Sequence, residues 1–533
     1  MPIQHFPYRE TGYFSKLMCD YLDHVEATKP FYHRFPKLSE FKLQLKEKQE
    51  SFPESLRSTL VRQLEKQYEN YSISEATKEN ITSLSSPQTF TVTTGHQLNL
   101  FTGPLYFLYK IFSVINLAEQ LKANNPEYHF VPVYWMATED HDFQEINYFN
   151  AFNKKVVWDK TSSGAVGELS MEGLEEVLKV FEKELGESRN AKQLALLFSE
   201  AYLHHKSLAD ATRYLGNALF KDYGLVIVDG NDTELKKAFI PYAEKELTEN
   251  LSFHKVIHTT SKLIEVGYGE QVHPREINLF YLDKGLRERI IEQEGTFFIN
   301  NTDLSFSKEE ILAEVRNRPE KFSPNALLRP LYQEAILPNL CYAGGGGELA
   351  YWFQLKHYFE SVKIPFPILL LRNSALLVPS RYSEKLKKLN VGIEQLFQKQ
   401  EILKTQFTHQ LSDIKIDFSQ QREHLQKQFR DLYEIARQTD GSFQGAVGAQ
   451  EKKQLNGLDH LEKRLLKAQK RRLADQIERL TAIQDALYPH KGLQERTVNF
   501  SEFYMEFGDR LLSELKENLD PLAHEFTILT LKS

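Results

Sequence analysis

Three patterns of apolar and polar positions succeed one another along the chain. Residues 11 to 80 are rich in Leu, Lys, Glu and Gln and predict helices broken at Pro30, Pro36 and Pro53. Phe90-Thr91-Val92-Thr93 is then a β-prone run. Leu105, Leu108, Phe112, Ile115 and Ala118 fall on one face of a following helix, and "FVPVYWM", Phe130 to Met136, predicts a second buried strand. Strand, helix and strand in that order make a βαβ unit, right-handed by the chirality of the crossover. "LVIVDG" from Leu225 and "PFPILLLRN" around Ile368 predict further strands of a mostly parallel sheet assembled from distant segments. Between them, residues 151–210 and 251–325 read as insertions, where "KKVVWDKTSSGAVGEL" and "TFFINNTDLSF" suggest hairpins or small subdomains.

From Ser380 the pattern becomes helical with almost no Pro. Leu466, Leu473, Leu480 and Leu487 recur every seven residues, with Ile477 and Ile483 between them, which is the seam of a coiled coil. The glycine-bearing "TDGSFQGAVGAQ" at 439–450 interrupts it, so an antiparallel hairpin is expected, with arms of roughly 40 to 55 residues spanning about 60 to 80 Å. After Pro489 the chain is expected to return to the globular body. The implied units are a core over 1–379, a helical hairpin over 380–488 and a returning segment over 489–533.

Composition narrows the class without naming a partner. The chain has 533 residues, 41% hydrophobic and 26% charged, with a formal net charge of -7, which gives no reason to expect nucleic-acid binding. No apolar run reaches the roughly 20 residues of a membrane span, and "MPIQHFPYRE" lacks the features of a secretory signal, so a cytoplasmic protein is expected. Cys19 and Cys341 are too few for a disulfide framework or a thiolate metal site.

Candidate chemistry collects at the predicted strand ends. "TTGHQLNLFTGP" leaves the first strand through Gly95, His96 and Gln97 and enters a helix at Gly103-Pro104, a junction that aims N–H groups at an anion, although an ordinary polar turn has the same composition. "TEDHDFQEIN" puts Glu139, Asp140, His141 and Asp142 directly after the second strand, where open α/β sheets bind ligands. A carboxylate beside a histidine suits proton transfer; the same residues suit a divalent metal, but neighbours on an irregular turn do not all face one point. "SPNALLRPLYQE" offers Asn325, Arg329, Gln333 and Glu334, with Arg329 able to grip a carboxylate or phosphate or to pair with Glu334. Gly344 to Gly347 precede Glu348 and signal a tight backbone, matching neither a P-loop nor a dinucleotide fingerprint. "LLLRNS" ends a strand with Arg372, Asn373 and Ser374, and "VIVDGND" offers Asp229, Asn231 and Asp232. Four such clusters at the ends of one sheet converge on one crevice.

Together, "TGHQLNLFTGPLYFLYK", "VPVYWMATEDHDFQEIN", "SPNALLRPLYQEAILPNLCYAGGGGELAYW", "PFPILLLRNS" and "YPHKGLQERTVNF" resemble the bacillithiol-biosynthesis cysteine-adding enzyme family, in order and over nearly the whole chain, with His96 where that family commonly carries Gln. The resemblance implies an α/β, Rossmann-type core like that of class I aminoacyl-tRNA synthetases, inserted connecting subdomains and a long antiparallel coiled coil that makes a homodimer. It implies a ligase joining L-cysteine to the amino group of glucosaminyl-malate. ATP or ADP binding follows as an expectation, since a free carboxylate must be activated before an amide forms. On the same basis Gly95, His96, Gln97 and Gly103 would hold nucleotide phosphate or the activated carboxylate. Asp140 and His141, with Asp142 beside them, would deprotonate the amine, and Arg329 and Arg372 would bind malate carboxylates or polyphosphate. Asn325, Gln333 and Asn373 would assist in substrate binding, Glu348 would hold the cysteine ammonium, and Tyr488 and Arg496 would add a second nucleotide contact. A nucleotide-sugar transferase and a non-enzymatic coiled-coil dimer are the competing readings.

Overall fold

The computed structural model describes residues 3–532. Its centre is a five-stranded sheet built from β1 (Thr89–His96), β2 (His129–Met136), β3 (Val226–Asp229), β4 (Asn339–Gly344) and β5 (Ile368–Leu371). The order across the sheet is β5-β4-β1-β2-β3 and every pairing is parallel, the 3-2-1-4-5 order of a Rossmann sheet without its sixth strand. All five strands are almost wholly buried, which explains their unbroken apolar or β-branched sequences. β1 carries threonines in that setting because they have partners: Thr91 and Thr93 donate to Asn339 Oδ1 at 3.1 and 2.8 Å, and Thr94 donates to the Ala343 carbonyl at 2.7 Å.

Helix α1 (Tyr106–Asn124) crosses from β1 to β2, and the five apolar positions expected on its face are all buried. Two short helices flank β4: α2 (Arg329–Ile336) precedes it and α3 (Gly346–Gln354) follows it. The second insertion contains a five-stranded antiparallel sheet, formed by Leu279–Asp283, Leu286–Gln293, Thr296–Ile299, Ser305–Ser307 and Phe322–Pro324. The first begins with the hairpin Tyr148–Ala151 and Lys154–Val157. A third sheet joins the two ends of the chain: Glu525–Leu531 lies between Ile3–Pro7 and Ala375–Pro379.

The helical hairpin is antiparallel but shorter than its composition suggested. Its arms are α4 (Ser419–Ala436), of 18 residues, and α5 (Gly441–Arg472), of 32. The connection is only residues 437–440, and Gly441, Gly445 and Gly448 lie inside α5. Asp440 explains this, because its carboxylate caps the helix by accepting from the N–H groups of Ser442 and Phe443 at 2.9 and 3.0 Å. The heptad leucines also have a different partner from the one expected. α5 ends at Arg472 with Leu473 as its cap, and Leu480 and Leu487 belong to α6 (Ala474–Leu487), where they are buried with Ile477 and Ile483 in the main core. α6 packs on the helix Gln400–Leu411, and Gln484 donates to the carbonyls of Leu396 and Gln398. The seven-residue spacing there marks a helix docked on the body. The hairpin has a separate small core of Phe429, Ala436 and Val447, with Leu425 and Tyr433 against it.

Candidate active site

A cavity of about 570 Å³ opens at the carboxyl edge of the parallel sheet. Its floor comes from Gly95, His96 and Gln97 after β1, from the turn 137–141 after β2, and from Tyr342, Glu348 and Tyr351 around β4 and α3. Tyr106 and Lys110 enter from the first turns of α1, and Asn325 and Arg329 from the start of α2. The opposite wall belongs to the inserted sheet and its approach, with Arg275, Phe280, Arg287 and Arg289.

A buried lysine forms an ion pair at the cavity floor. Lys110, 3% exposed, sits 2.6 Å from Glu348 Oε1 and donates to the Gly95 carbonyl at 2.6 Å. Glu348 also accepts from the Tyr342 hydroxyl at 2.8 Å and the Gly345 N–H at 3.1 Å. Burial alone would raise the Glu348 carboxyl; the Lys110 ammonium, with these two donors, holds it below its ordinary value. Burial lowers the Lys110 pKa, and Glu348 opposes only part of that. Gly95 leaves room for this packing: a Cβ there would lie 3.1 Å from the Tyr342 hydroxyl, tighter than an ordinary contact, and 3.5 Å from an Arg329 nitrogen. Arg329 donates to Gln333 Oε1 at 3.0 Å and to the Tyr351 hydroxyl at 3.3 Å.

The turn after β2 places a carboxylate and an imidazole side by side on the cavity floor. Asp140 accepts from the His141 N–H at 2.8 Å and from Gln97 Nε2 at 2.9 Å, and its side chain remains partly exposed. Arg287 donates to His141 Nδ1 at 2.6 Å while its guanidinium lies 4.0 Å from the Phe280 ring centre. An arginine only donates, so Nδ1 is the acceptor and the ring proton is on Nε2. Burial first and Arg287 second lower the His141 pKa and keep the ring neutral. In this arrangement His141 offers an N–H, and Asp140 is the group able to accept a proton. Glu139 is engaged elsewhere, 2.5 Å from the buried Lys236. His96 is buried between Tyr106 and Phe107, and burial, followed by Lys110, lowers its pKa to about 3.

Gly95, His96, Gln97, Asp140, His141, Asn325, Arg329 and Glu348 thus share one cavity, while other residues singled out from the sequence do not line it. Gln333 is fully buried behind Arg329 and donates to Glu334. Arg372 is held by Glu495 at 2.8 Å, both sealed from solvent, and Asn373 bonds to Ser113 and the Asp520 carbonyl. Asp142 is exposed on the turn beyond His141. Gly103 shapes the β1–α1 turn with a φ of 64°, and a Cβ there would stand 2.7 Å from Asn99 Cβ. Tyr488 is buried and stacked on Tyr13. Arg496 lines a second cavity of about 370 Å³ that shares Gln97 and Tyr106 with the first. Sequence reasoning missed Lys110, whose signal is a lone cation within the apolar run of α1, and Arg287 and Arg289, which alternate on one face of a strand. Among the described residues, no group of three or more His, Cys, Asp or Glu side chains is placed to hold a metal ion, and no helix is long and apolar enough to cross a membrane.

Two family models account for the chain end to end. Residues 1–373 match the bacillithiol biosynthesis BshC N-terminal Rossmann-like domain, and residues 375–531 match the BshC C-terminal coiled-coil domain. The chain belongs to the BshC family. A BshC relative from Flavobacterium johnsoniae, named "Putative cysteine ligase BshC", is 55% identical over 531 residues, covering 100% of both chains. Relatives of the same name from Christiangramia forsetii and Cytophaga hutchinsonii are 54% and 38% identical, over 99% and 96% of each chain. A crystal structure titled as a putative arginyl tRNA synthetase from Campylobacter jejuni aligns over 85% of this chain and 99% of its own, at 13% identity and a TM-score of 0.23, too low to bear on the BshC fold. The boundary between the two BshC matches falls just after β5, before the strand Ala375–Pro379.

Proposed function

We propose that the protein is a cytoplasmic ligase that joins L-cysteine to the amino group of glucosaminyl-malate with consumption of ATP, completing bacillithiol. The observation that carries this is the pairing, in one cavity, of a partly exposed carboxylate at Asp140 with guanidinium groups on the facing wall. Amide formation needs those two elements: a group that takes the proton from the attacking amine, and cations that hold carboxylate or phosphate oxygens. The relatives' name favours this reading over a nucleotide-sugar transferase or a non-enzymatic dimer. The cavity suits ATP as a substrate, since Arg329 and the β1–α1 turn offer donors to polyphosphate. Transfer of a phosphoryl or adenylyl group from ATP makes the cysteine carboxylate reactive; the amine then forms the C–N bond as phosphate or AMP leaves, Asp140 receives the amine proton, and the His141 Nε2–H steadies the oxygen that gains charge. Glu348 already accepts from Lys110, Tyr342 and Gly345, so binding a cysteine ammonium there requires sharing with Lys110. A homodimer through the α4–α5 hairpin belongs to the same proposal; its exposed Leu432, Ile435, Phe443 and Leu461 would supply the contact.

Deleting the gene in its host and measuring thiols by mass spectrometry tests the reaction. Loss of bacillithiol with accumulation of glucosaminyl-malate is the expected result; unchanged pools would reject it.

A further inference from the structure

The four arginines of the cavity differ in what already occupies them. Arg329 is engaged with Gln333 and Tyr351, and Arg287 with His141. Arg275 and Arg289 make no side-chain hydrogen bond or ion pair among the described residues, and both are exposed at the cavity wall. We propose that Arg275 and Arg289 form a clamp for the dicarboxylate end of the acceptor, a specificity site carried by the inserted sheet; this rests on the ligase reading above.

Geometry puts this clamp beside the proton acceptor. Arg289 is the cross-strand partner of Phe280, whose ring centre lies 5.5 Å from that of His141. Arg287, two residues earlier and on the same strand face, reaches His141 directly. An acceptor with its amine at Asp140 therefore has Arg289 within the same cavity wall. The loop bearing Arg275 is fixed from beneath. Its N–H donates to Asn278 Oδ1 at 3.1 Å and its carbonyl accepts from Asn278 Nδ2 at 2.7 Å. Asn278 is 1% exposed and bonded to the buried Glu246 and Ser252. A free guanidinium on an ordered loop loses little freedom when it binds, and two such groups match two carboxylates by paired hydrogen bonds. On the sheet side Glu139 and Glu348 are already paired with Lys236 and Lys110, and Arg329 is engaged with Gln333 and Tyr351, so the two guanidinium groups without a side-chain partner on the facing wall are the cations left for an anionic tail.

Titration calorimetry on the Arg275→Ala/Arg289→Ala double variant tests the clamp, using glucosaminyl-malate, glucosamine without the malate, and ATP as separate probes. Affinity for glucosaminyl-malate should fall at least about 100-fold, because hydrogen bonds to charged groups contribute roughly 10-fold or more each. Affinity for glucosamine and for ATP should stay within about twofold, and melting should match the parent because neither side chain has a partner to lose. Parent-like affinity for glucosaminyl-malate would overturn the clamp alone, and a loss confined to ATP would overturn it by assigning the pair to phosphate. A parent protein that binds ATP and cysteine but not glucosaminyl-malate would overturn the ligase reading and the clamp with it. Should the double variant melt early, Arg289→Gln alone, read with the same three probes, decides between these outcomes.

Discussion

Adjacent strands of the same sheet end in ion pairs with opposite fates. After β4, Glu348 meets Lys110 at the floor of an open cavity, and its side chain keeps 27% of its exposure. After β5, Arg372 meets Glu495 with 4% and 1% exposure, closed off by the returning C-terminal segment. Glu495 also accepts from the Ser374 hydroxyl and the Ala375 N–H, so this cluster works as a latch between the core and residues 489–533. A position at the carboxyl edge of a parallel sheet therefore does not by itself make a ligand site. What lies over the strand end decides: the β1, β2 and β4 ends, with Gly230 after β3, line the open cavity.

The largest effect expected from this contrast is on folding. Glu495→Ala should leave Arg372 buried without its counter-charge and lower stability by about 3 to 5 kcal/mol, read as a drop in the urea midpoint. A midpoint equal to the parent's would mean that the latch does not hold the segment. Lys110→Met removes a cation from the more open pair, where Tyr342 and the Gly345 N–H still satisfy Glu348, so a smaller loss of about 1 to 3 kcal/mol is expected.

His96 gives the contrast a pH dependence. Its folded pKa of about 3 lies below the ordinary 6.5, so between these values the unfolded chain holds a proton that the folded one does not. Stability should therefore fall as pH drops below 6.5, by about 2 kcal/mol at pH 5. His96→Gln should flatten that slope in denaturation series at pH 7.5 and pH 5; an unchanged slope would place its origin in other groups. The smallest effect belongs to Tyr351→Phe. Its loss of a 3.3 Å contact to Arg329 should cost no more than about 1 kcal/mol in the same assay.

Where burial is complete, the residue pattern declared the element. β1, β2, β3 and β5 coincide with apolar or β-branched runs, and the α1 face is readable from its spacing. β4 lacks a strand signature, although it joins β1 to β5, because "NLCYAG" is short and runs into glycines whose pattern is that of a loop. The heptad of α6 misled because a helix docked on a body and a helix in a coiled coil bury the same spacing. Within the cavity, the strand-end residues were legible since their position follows from the parallel sheet. The arginines of the inserted sheet were not: which wall faces the cavity depends on how a distant insertion folds back, and no local pattern records that. The closure over Arg372 is illegible for a related reason, since Glu495 comes from a segment more than a hundred residues away.

The turnover of Asp140→Asn, measured with saturating cysteine, glucosaminyl-malate and ATP alongside its melting curve, bears most directly on which strand end does the chemistry. The side chain is partly exposed and held only by Gln97 and a backbone N–H, so the variant should melt like the parent. Its rate should fall by at least about a hundredfold, the usual contribution of a positioned base. A folded variant working within about threefold of the parent would contradict the assignment of proton transfer to Asp140.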